Sequence, residues 1–229
     1  MSYLKNLLTK VSSSLLDFLY PPVCLLCKKP GLHPLCGDCL TLLEPHPTTF
    51  SLRLFNALTI LPYENTVRDI IHKIKFDSCE KLCDILSDLT YSYLVNLPKH
   101  TLVPVPIHPL RIRKRGFNQA AVIAKRLSKM LGWDYAPRLI WKTRNTRPQF
   151  ELELHERAEN VKDAFAPHPL AKLDPIKSYM LVDDIITTGS TLQSCAGVLQ
   201  RMGASVITAL AVARAGDAKT LIVDSSFFL

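Results

Sequence analysis

The stretch that decides the fold is Met180-Leu181-Val182-Asp183-Asp184-Ile185-Ile186-Thr187-Thr188-Gly189-Ser190-Thr191. Its apolar start, from Tyr179 to Val182, is typical of a buried β-strand, and two adjacent carboxylates follow. From Ser190 onward apolar residues recur at helical spacing, and Gly203 is placed to end that helix. The sequence therefore predicts a strand, a short loop of hydroxyl residues and a helix, in that order.

The loop between this strand and this helix has the chemistry of a phosphate site. A helix N-terminus presents unpaired N–H groups and roughly half a positive charge to an anion, and Gly189 lets the backbone approach a bound group closely. Hydroxyl groups add donors, each worth about 1.5–3 kcal/mol against a charged partner: Thr187, Thr188, Ser190 and Thr191. Asp183 and Asp184 would face a sugar diol or its metal ion. The stretch thus predicts a sugar-phosphate site.

A plain strand–loop–helix with a Ser/Thr cap is the alternative, because such caps are common. The acid pair argues against it, since adjacent carboxylates at the end of a buried strand repel each other unless a cation or ligand compensates them. No Gly-Lys-Ser/Thr follows, so the loop is not a Walker P-loop.

Residues 182–191 instead resemble the phosphoribosyl pyrophosphate (PRPP) loop of type I phosphoribosyltransferases. The resemblance implies that Asp183 and Asp184 are catalytic acids facing the ribose hydroxyls and that residues 187–191 wrap the 5′-phosphate.

Strand and helix patterns alternate along the rest of the chain. We expect strands at 57–61, 102–106, 138–141 and 205–212, and helices at 64–76, 81–97 and 117–131. Such alternation predicts an α/β fold with a mostly parallel sheet flanked by helices, whose ligands lie at the carboxyl ends of the strands. The resemblance makes this class type I phosphoribosyltransferase-like.

The positive charge of the chain is concentrated in one segment. Residues 108–150 carry eleven Lys and Arg residues against one acid, Asp134, a net charge of +10, whereas the whole chain carries +8. A charge distribution of this kind predicts a polyanionic partner: pyrophosphate, nucleic acid or both.

Four of the seven cysteines lie within sixteen residues: Cys24, Cys27, Cys36 and Cys39. Two Cys-x2-Cys pairs at this spacing predict a small zinc-finger module with a closed, structural Zn²⁺ site. Disulfides and a redox pair are the alternatives. The reducing cytosol argues against the first, and the lack of a βαβ pattern around either pair argues against the second. We expect Cys79, Cys83 and Cys195 to be ordinary buried or partly buried thiols.

Two further blocks resemble the ComF competence-protein family. They are residues 103–120, which include Arg111-Ile112-Arg113-Lys114-Arg115-Gly116-Phe117-Asn118-Gln119, and residues 146–165, which include Thr146-Arg147-Pro148-Gln149 and Glu156-Arg157-Ala158-Glu159-Asn160-Val161. The segment 18–39 resembles the N-terminus of the same family, so the resemblance runs through nearly the whole chain. It implies a zinc finger joined to a phosphoribosyltransferase-like domain and a role in natural transformation, the uptake and internalisation of DNA.

The resemblance also implies residues for the pyrophosphate, and the positive charge of the segment supplies candidates for DNA. Pyrophosphate would lie on the loop Val105-Pro106-Ile107, and Arg144 and Arg147 would reach it from a mobile loop that closes over PRPP and Mg²⁺. Single-stranded DNA would bind the basic run formed by Arg111, Arg113, Lys114 and Arg115. The alternative for this basic run is a solvated turn that binds nothing. Asn118 and Gln119, which follow it, are either helix caps or ligand contacts.

We expect three parts: an amphipathic helix at 1–20, a four-cysteine zinc module at 21–44 and a phosphoribosyltransferase-like domain at 45–229. No segment is apolar enough to span a membrane, and no cleavage site of a signal peptide follows the helix. The expected location is therefore the cytoplasm. The helix either packs on its own domain or touches a membrane or a partner.

Three functions fit these residues. The first is a ComF-like DNA-uptake protein that binds PRPP with Mg²⁺ and single-stranded DNA and works with uptake or recombination machinery. The second is a phosphoribosyltransferase that transfers phosphoribosyl from PRPP to an unknown acceptor and releases pyrophosphate. The third is a PRPP sensor without turnover. No acceptor pocket is visible in the sequence.

Overall fold

The computed structural model describes residues 22–30, 34–146, 161 and 163–216. The chain divides into two compact units, Met1–Glu44 and Pro45–Leu229. The predicted helix at 1–20, Arg147 and most of the second ComF-like block lie outside the described residues. Within the described part of the chain, no helix is both long and apolar enough to cross a bilayer.

The described part of the first unit is a turn followed by a short helix. Val23 and Pro30 form an antiparallel bridge, and helix α1 spans Gly37–Thr41. The turn between the bridge residues is closed by the Lys28 N–H, which donates to the Cys24 carbonyl at 3.0 Å. This tight turn is what brings the first two cysteines together.

Eight strands are described in the second unit. They are β1 Thr48–Leu52, β2 Phe55–Pro62, β3 Thr101–Pro104, β4 Asp134–Tyr135, β5 Ile140–Lys142, β6 Phe165–Pro167, β7 Ser178–Ile186 and β8 Val206–Arg214. Six of them form one sheet in the order β1-β2-β8-β7-β3-β4, and β5 pairs with β6 in a second sheet. In the larger sheet β1 is antiparallel to β2, and every other pair of neighbours is parallel. The predicted mostly parallel sheet is confirmed.

Helices cover both faces of the larger sheet. They are α2 Asn65–Phe76, α3 Lys81–Leu94, α4 Pro109–Arg115, α5 Gln119–Leu131 and α6 Ser190–Arg201. Helix α3 packs on α5, which lies on β3 and β7, while α6 contacts β7, β8 and the small sheet. Leu181 of β7 shares a core cluster with Cys195 of α6. The predicted α/β class is therefore confirmed.

Strand β7 is longer than predicted. It runs through Ile186, so Asp183 and Asp184 lie inside the strand and not after it, and Asp183 is in register with Ala211 of β8. Carboxylates are depleted in strands, so the pattern alone ends the strand too early. The neighbouring strand β8 supplies the hydrogen-bonding partner that extends it.

The basic run forms helix α4 and is not a turn. Pro109 stands in its first turn, His108 Nδ1 accepts a hydrogen bond from the Leu110 N–H at 3.3 Å, and Gly116 follows its last residue with φ 90°. A proline at the start and a glycine after the end are the usual punctuation of a helix. Next, the Oδ1 atom of Asn118 caps α5 by accepting from the Ala120 N–H at 3.1 Å.

The chain reverses direction in the sheet between β3 and β7. From β3 it continues through α4 and α5 to β4 on one side, and from β7 it continues through α6 to β8 on the other. Loops that leave two neighbouring parallel strands in opposite directions open a crevice at their carboxyl ends, where ligands of such sheets bind. The acid pair lies at this crevice.

Candidate functional site

The two acids of β7 differ in burial, although their carboxyl groups lie close enough to interact directly. Asp184 is 2% exposed and lies against Lys75 at the end of α2 and Gln119 at the start of α5. Asp183 keeps a partly exposed surface, and its electrostatic neighbours include Cys195 of α6 and Lys142 of β5. The pair is therefore not a symmetric two-carboxylate site.

Both oxygens of Asp184 contact side chains of the protein. Its Oδ1 atom accepts a hydrogen bond from Gln119 Nε2 at 3.0 Å, and its Oδ2 atom lies 2.6 Å from Lys75 Nζ. Oδ2 receives no hydrogen bond of good geometry within the described structure, so the ion pair alone balances its charge. Burial acts to raise the pKa of Asp184, but Lys75 and Gln119 outweigh it and hold that pKa below its ordinary value.

Asp183 has the opposite electrostatic environment. Its Oδ1 atom accepts a hydrogen bond from the Asp184 N–H at 2.9 Å. Burial and the neighbouring Asp184 carboxylate hold the pKa of Asp183 well above its ordinary value. A cation or a sugar diol placed against this carboxylate would relieve the unfavourable charge, so the site favours such a ligand at Asp183.

The hydroxyl loop leads from β7 into α6 as predicted. Gly189 adopts φ 76° and is the residue before the first turn of α6, a conformation that favours glycine. A Cβ atom at this position would lie 2.9 Å from Leu52 Cδ1. Thr188 Oγ1 and Ser190 Oγ are 2.8 Å apart. Thr187 and Thr191 complete the loop, which ends at a helix N-terminus suited to a phosphate.

The loop Val105–Ile107 lies beside the acid pair. It follows β3 directly, and the Val105 N–H donates to the Val182 carbonyl at 2.9 Å, one residue before Asp183. Asn118 Nδ2 donates to the Val105 carbonyl at 3.0 Å, so the start of α5 also holds this loop. Pro106 and Ile107 are partly exposed at the crevice.

The four basic residues predicted to bind DNA fall into two groups. Arg113 and Lys114 are exposed on α4. Arg111 donates from Nη2 to the Thr146 carbonyl at 2.7 Å, and Arg115 donates from Nε to the Lys75 carbonyl at 3.0 Å and from Nη1 to Gln119 Oε1. Arg111 and Arg115 thus link segments of the protein around the crevice through hydrogen bonds, whereas the charges of Arg113 and Lys114 face solvent.

The segment predicted to close over PRPP is described only at its start. Arg144 is exposed, and Arg147 lies outside the described residues. Lys142, just before them, lies over the Phe165 ring with Nζ 5.1 Å from the ring centroid. Burial and the nearby Arg111 lower the pKa of Lys142 to about 8.

Sequence reasoning missed two cations at this site. Lys75 is one of several scattered charges in the sequence, and no sequence signal links it to an acid more than one hundred positions later. Arg214 ends β8 in register with Ile186, and its guanidinium carbon lies 4.6 Å from the Phe50 ring centroid. Its buried Nη1 atom has no hydrogen-bond partner among the described residues. This leaves a donor beside the strand that leads into the hydroxyl loop.

The four clustered cysteines are brought together in the first unit. The Sγ atoms of Cys24, Cys27, Cys36 and Cys39 lie within 4.8 Å of one another. Four thiolates at about 2.3 Å from a tetrahedral Zn²⁺ would be about 3.8 Å apart, so the donor set fits a metal such as zinc. No cysteine of the chain is in a disulfide. The remaining thiols behave as predicted: Cys83 and Cys195 are buried and Cys79 is partly buried.

The fold and the site define a class of protein: an α/β protein with an acid pair and a hydroxyl loop at its switch point, preceded by a four-cysteine module.

No protein-family model matches the chain. Competence protein F of Haemophilus influenzae is 28% identical over 188 residues, which cover 79% of this chain and 78% of the relative. DNA utilization protein YhgH of Escherichia coli K12 is 29% identical over 197 residues, 80% of this chain and 81% of the relative. Competence protein ComFC of Bacillus subtilis is 28% identical over 189 residues, 79% of this chain and 72% of the relative.

The chain is thus a homologue of competence protein F, ComFC and YhgH, and the resemblance seen in the sequence is confirmed. Similar solved structures include an adenine phosphoribosyltransferase of Trypanosoma brucei, with a TM-score of 0.42 and 11% identity over 79% of this chain and 97% of that one. Another is an adenine phosphoribosyltransferase of Thermoanaerobacter pseudethanolicus, with a TM-score of 0.39 and 16% identity over 77% of this chain and 98% of that one. These scores are low, so the fold assignment rests on the strand order of the chain itself.

Proposed function

We propose that this chain binds PRPP with Mg²⁺ at the crevice between β3 and β7 and serves in competence or DNA utilisation. The observation that supports the ligand most directly is the hydrogen bond from Val105 N–H to the Val182 carbonyl, 2.9 Å long. It sets the loop after β3 beside the acid pair and the hydroxyl loop. The biological role is proposed from the names of the curated relatives.

Each part of PRPP has a matching part of the crevice. Residues 187–191 offer hydroxyl and N–H donors to the 5′-phosphate. Of the two acids, Asp183 is the more exposed and would meet the ribose hydroxyls. The pyrophosphate would lie on Val105-Pro106-Ile107, where Arg144 and Arg147 could reach it. Mg²⁺ prefers one or two carboxylates together with substrate phosphates, and Asp183 suits that role.

PRPP binding can be measured by calorimetry with and without Mg²⁺. We expect Asp183→Asn to weaken binding of PRPP–Mg²⁺ by about tenfold to a hundredfold, since charge-assisted contacts are worth about 1.5–3 kcal/mol. Asp69→Asn, an exposed acid on α2, is the matched control and should bind as the wild type does. If the wild type and Asp183→Asn bind PRPP–Mg²⁺ equally, the assignment of the ligand to this site is wrong.

We propose single-stranded DNA as the second ligand, bound through the exposed charges of Arg113 and Lys114. Phosphate contacts release counterions, so binding should weaken steeply as salt increases. Replacing both residues by alanine should lower the affinity for all oligonucleotides alike and reduce the salt slope by about one per residue. Lys172→Ala/Arg201→Ala removes the same charge from exposed positions elsewhere. If the two double variants bind DNA equally, α4 is not the DNA-binding element.

A phosphoribosyltransferase activity is the second candidate, favoured by the cations around the crevice. In this reaction the bond from the anomeric carbon to pyrophosphate breaks, a bond to the acceptor forms, and pyrophosphate leaves with its charge. Lys142 and Arg111, close enough to influence each other's charge, would stabilise the leaving group. Pyrophosphate release measured across a panel of purine and pyrimidine bases tests this. If no base raises pyrophosphate release above the rate of PRPP hydrolysis, the chain binds PRPP without transferring its phosphoribosyl group.

The competence role and the cellular partners are tested in the cell. Deletion of the gene should reduce the recovery of transformants from added DNA, and restoration by the intact chain but not by Asp183→Asn would connect that role to the crevice. Co-purification with uptake or recombination proteins tests the proposed machinery. Cell fractionation tests the proposed cytoplasmic location against membrane association through residues 1–20.

A further inference from the structure

Asp184 is enclosed by the protein more completely than a ligand-binding acid needs to be. Lys75 approaches from the end of α2 and Gln119 from the start of α5. Asp184 is 2% exposed, and each of its oxygens contacts a side chain of the protein. Its charge is already compensated within the chain.

The contacts around Asp184 continue into a closed ring. Gln119 uses its Nε2 atom for Asp184 and its Oε1 atom for Arg115. Arg115 in turn donates from Nε to the backbone carbonyl of Lys75 at 3.0 Å, and Lys75 Nζ returns to Asp184 at 2.6 Å. The ring therefore passes through three helices and one strand.

This ring fixes the end of the basic helix. Arg115 is the last residue of α4, and its carbonyl accepts a hydrogen bond from Ser78 Oγ at 2.8 Å. The side chain of Arg115 thus joins α4 to the end of α2, and its backbone carbonyl joins α4 to the segment after α2. Since α4 follows the loop 105–107 with only His108 between them, a displacement of Arg115 would disturb the crevice as well.

We propose that Lys75 is a positioning residue that, with Gln119, holds Asp184 as the buried anion of this ring, and that Asp183 alone of the two acids contacts the ligand. The inference rests on the proposed PRPP site and refines it. Lys75 would act on ligand affinity through Asp184 and Arg115 and not by touching PRPP. Asp184 would organise the crevice through its buried contacts with Lys75 and Gln119.

Four variants test this on the full chain. PRPP–Mg²⁺ affinity is measured for Lys75→Met, Lys75→Arg, Lys75→Met/Asp184→Asn and Lys73→Met. Lys73, two residues earlier on α2, pairs with Asp77 at the surface at 3.3 Å and is the control. We expect Lys75→Met to bind at least about tenfold more weakly, because it leaves the buried Asp184 charge uncompensated and loosens the ring beside the crevice. Lys75→Arg and Lys73→Met should bind like the wild type.

The double variant separates the two roles of Asp184. The asparagine Oδ1 at position 184 can still accept from Gln119 Nε2, and the backbone carbonyl of position 75 remains for Arg115, so the double variant should recover most of the affinity that Lys75→Met loses. If the double variant binds no better than Lys75→Met, Asp184 contacts the ligand and the inference is wrong. Unchanged affinity of Lys75→Met would also overturn it.

The ring can be tested without any ligand. If the wild type does not bind PRPP, the proposed function fails, and urea unfolding then decides the inference. In a double-mutant cycle Lys75→Met and Asp184→Asn should be strongly non-additive, since each leaves the partner's charge uncompensated. Additive effects would show that the two side chains do not stabilise each other.

Discussion

Lys75 Nζ lies 2.6 Å from Asp184 Oδ2, and the carboxylate side chain is 3% exposed against 22% for the lysine. A cation from the end of a surface helix therefore neutralises an acid at the end of the central strand of a parallel sheet. Asp183, the next residue, has no such ion pair described and a raised pKa. Two identical side chains with one peptide bond between them thus differ in exposure, in ion pairing and in the direction of their pKa shift.

Replacing Asp184 by asparagine should destabilise the protein. Breaking a buried ion pair costs about 3–5 kcal/mol, but Lys75 is partly exposed and can turn toward water, so we expect roughly 2 kcal/mol. Urea unfolding at neutral pH measures the loss. The control is Asp77→Asn, which removes the surface partner of Lys73 and should cost less than about 0.5 kcal/mol. Equal losses in the two variants would contradict a structural role of the buried pair.

Replacing Asp183 by asparagine should stabilise the unliganded protein at neutral and higher pH. The pKa of Asp183 is raised in the folded state by burial and by Asp184, so wild-type stability falls as pH rises and this carboxyl group loses its proton. The variant lacks that loss, and its Asn Oδ1 can still accept from the Asp184 N–H. Urea midpoints at several pH values should show a gain that grows from acidic to alkaline pH. A gain that shrinks as pH rises would contradict the assigned pKa direction.

Gly189→Ala should destabilise the hydroxyl loop and weaken PRPP binding. The substitution places a Cβ atom 2.9 Å from Leu52 Cδ1 at φ 76°, and the backbone conformation alone costs about 1–2 kcal/mol. Gly132 has φ 66° with no atom near its missing Cβ. Gly132→Ala therefore carries the backbone cost without the clash. We expect thermal unfolding to show a larger loss for Gly189→Ala, and only that variant to lose affinity for PRPP.

Removal of metal should unfold the four-cysteine segment. A closed thiolate site supplies much of the folding free energy of a short segment, and all four Sγ atoms already lie within 4.8 Å. Metal analysis should find about one Zn²⁺ per chain, and it should be lost in Cys39→Ser and retained in Cys79→Ser. NMR or limited proteolysis after treatment with a chelator should show loss of structure at residues 22–44. Full metal content in Cys39→Ser would contradict the ligand set.

The sequence predicted the elements with strong periodicity and missed those that depend on partners. The amphipathic patterns of α2, α5 and α6 are all found, with boundaries shifted by a few residues at most. The extension of β7 through the acid pair was missed because a strand of that length needs β8 beside it. The short strands β1, β4 and β6 were missed for the same reason: two to five residues carry too little pattern.

The candidate site was predicted in its parts and not in its internal contacts. Hydroxyls after a strand, acids at its end and cysteines at fixed spacing are local patterns, so the sequence indicates them directly. In the sequence the predicted DNA-binding run consists of four equivalent cations. The structure divides it, because Arg115 contacts a residue 40 positions before it and Arg111 contacts a residue 35 positions after it.

By itself the sequence determined the α/β class, the strand–loop–helix at residues 178–201, the four-cysteine cluster and the kinship with competence proteins, since all of these are encoded in neighbouring residues. Only the tertiary structure decided which acid is buried, because the fate of a carboxylate depends on the charges that the fold brings to it. Lys75, Gln119 and Asp184 are far apart in the chain. They meet because α5 packs on β7 and the end of α2 brings Lys75 to Asp184, and these contacts make Asp184 the buried acid of the pair.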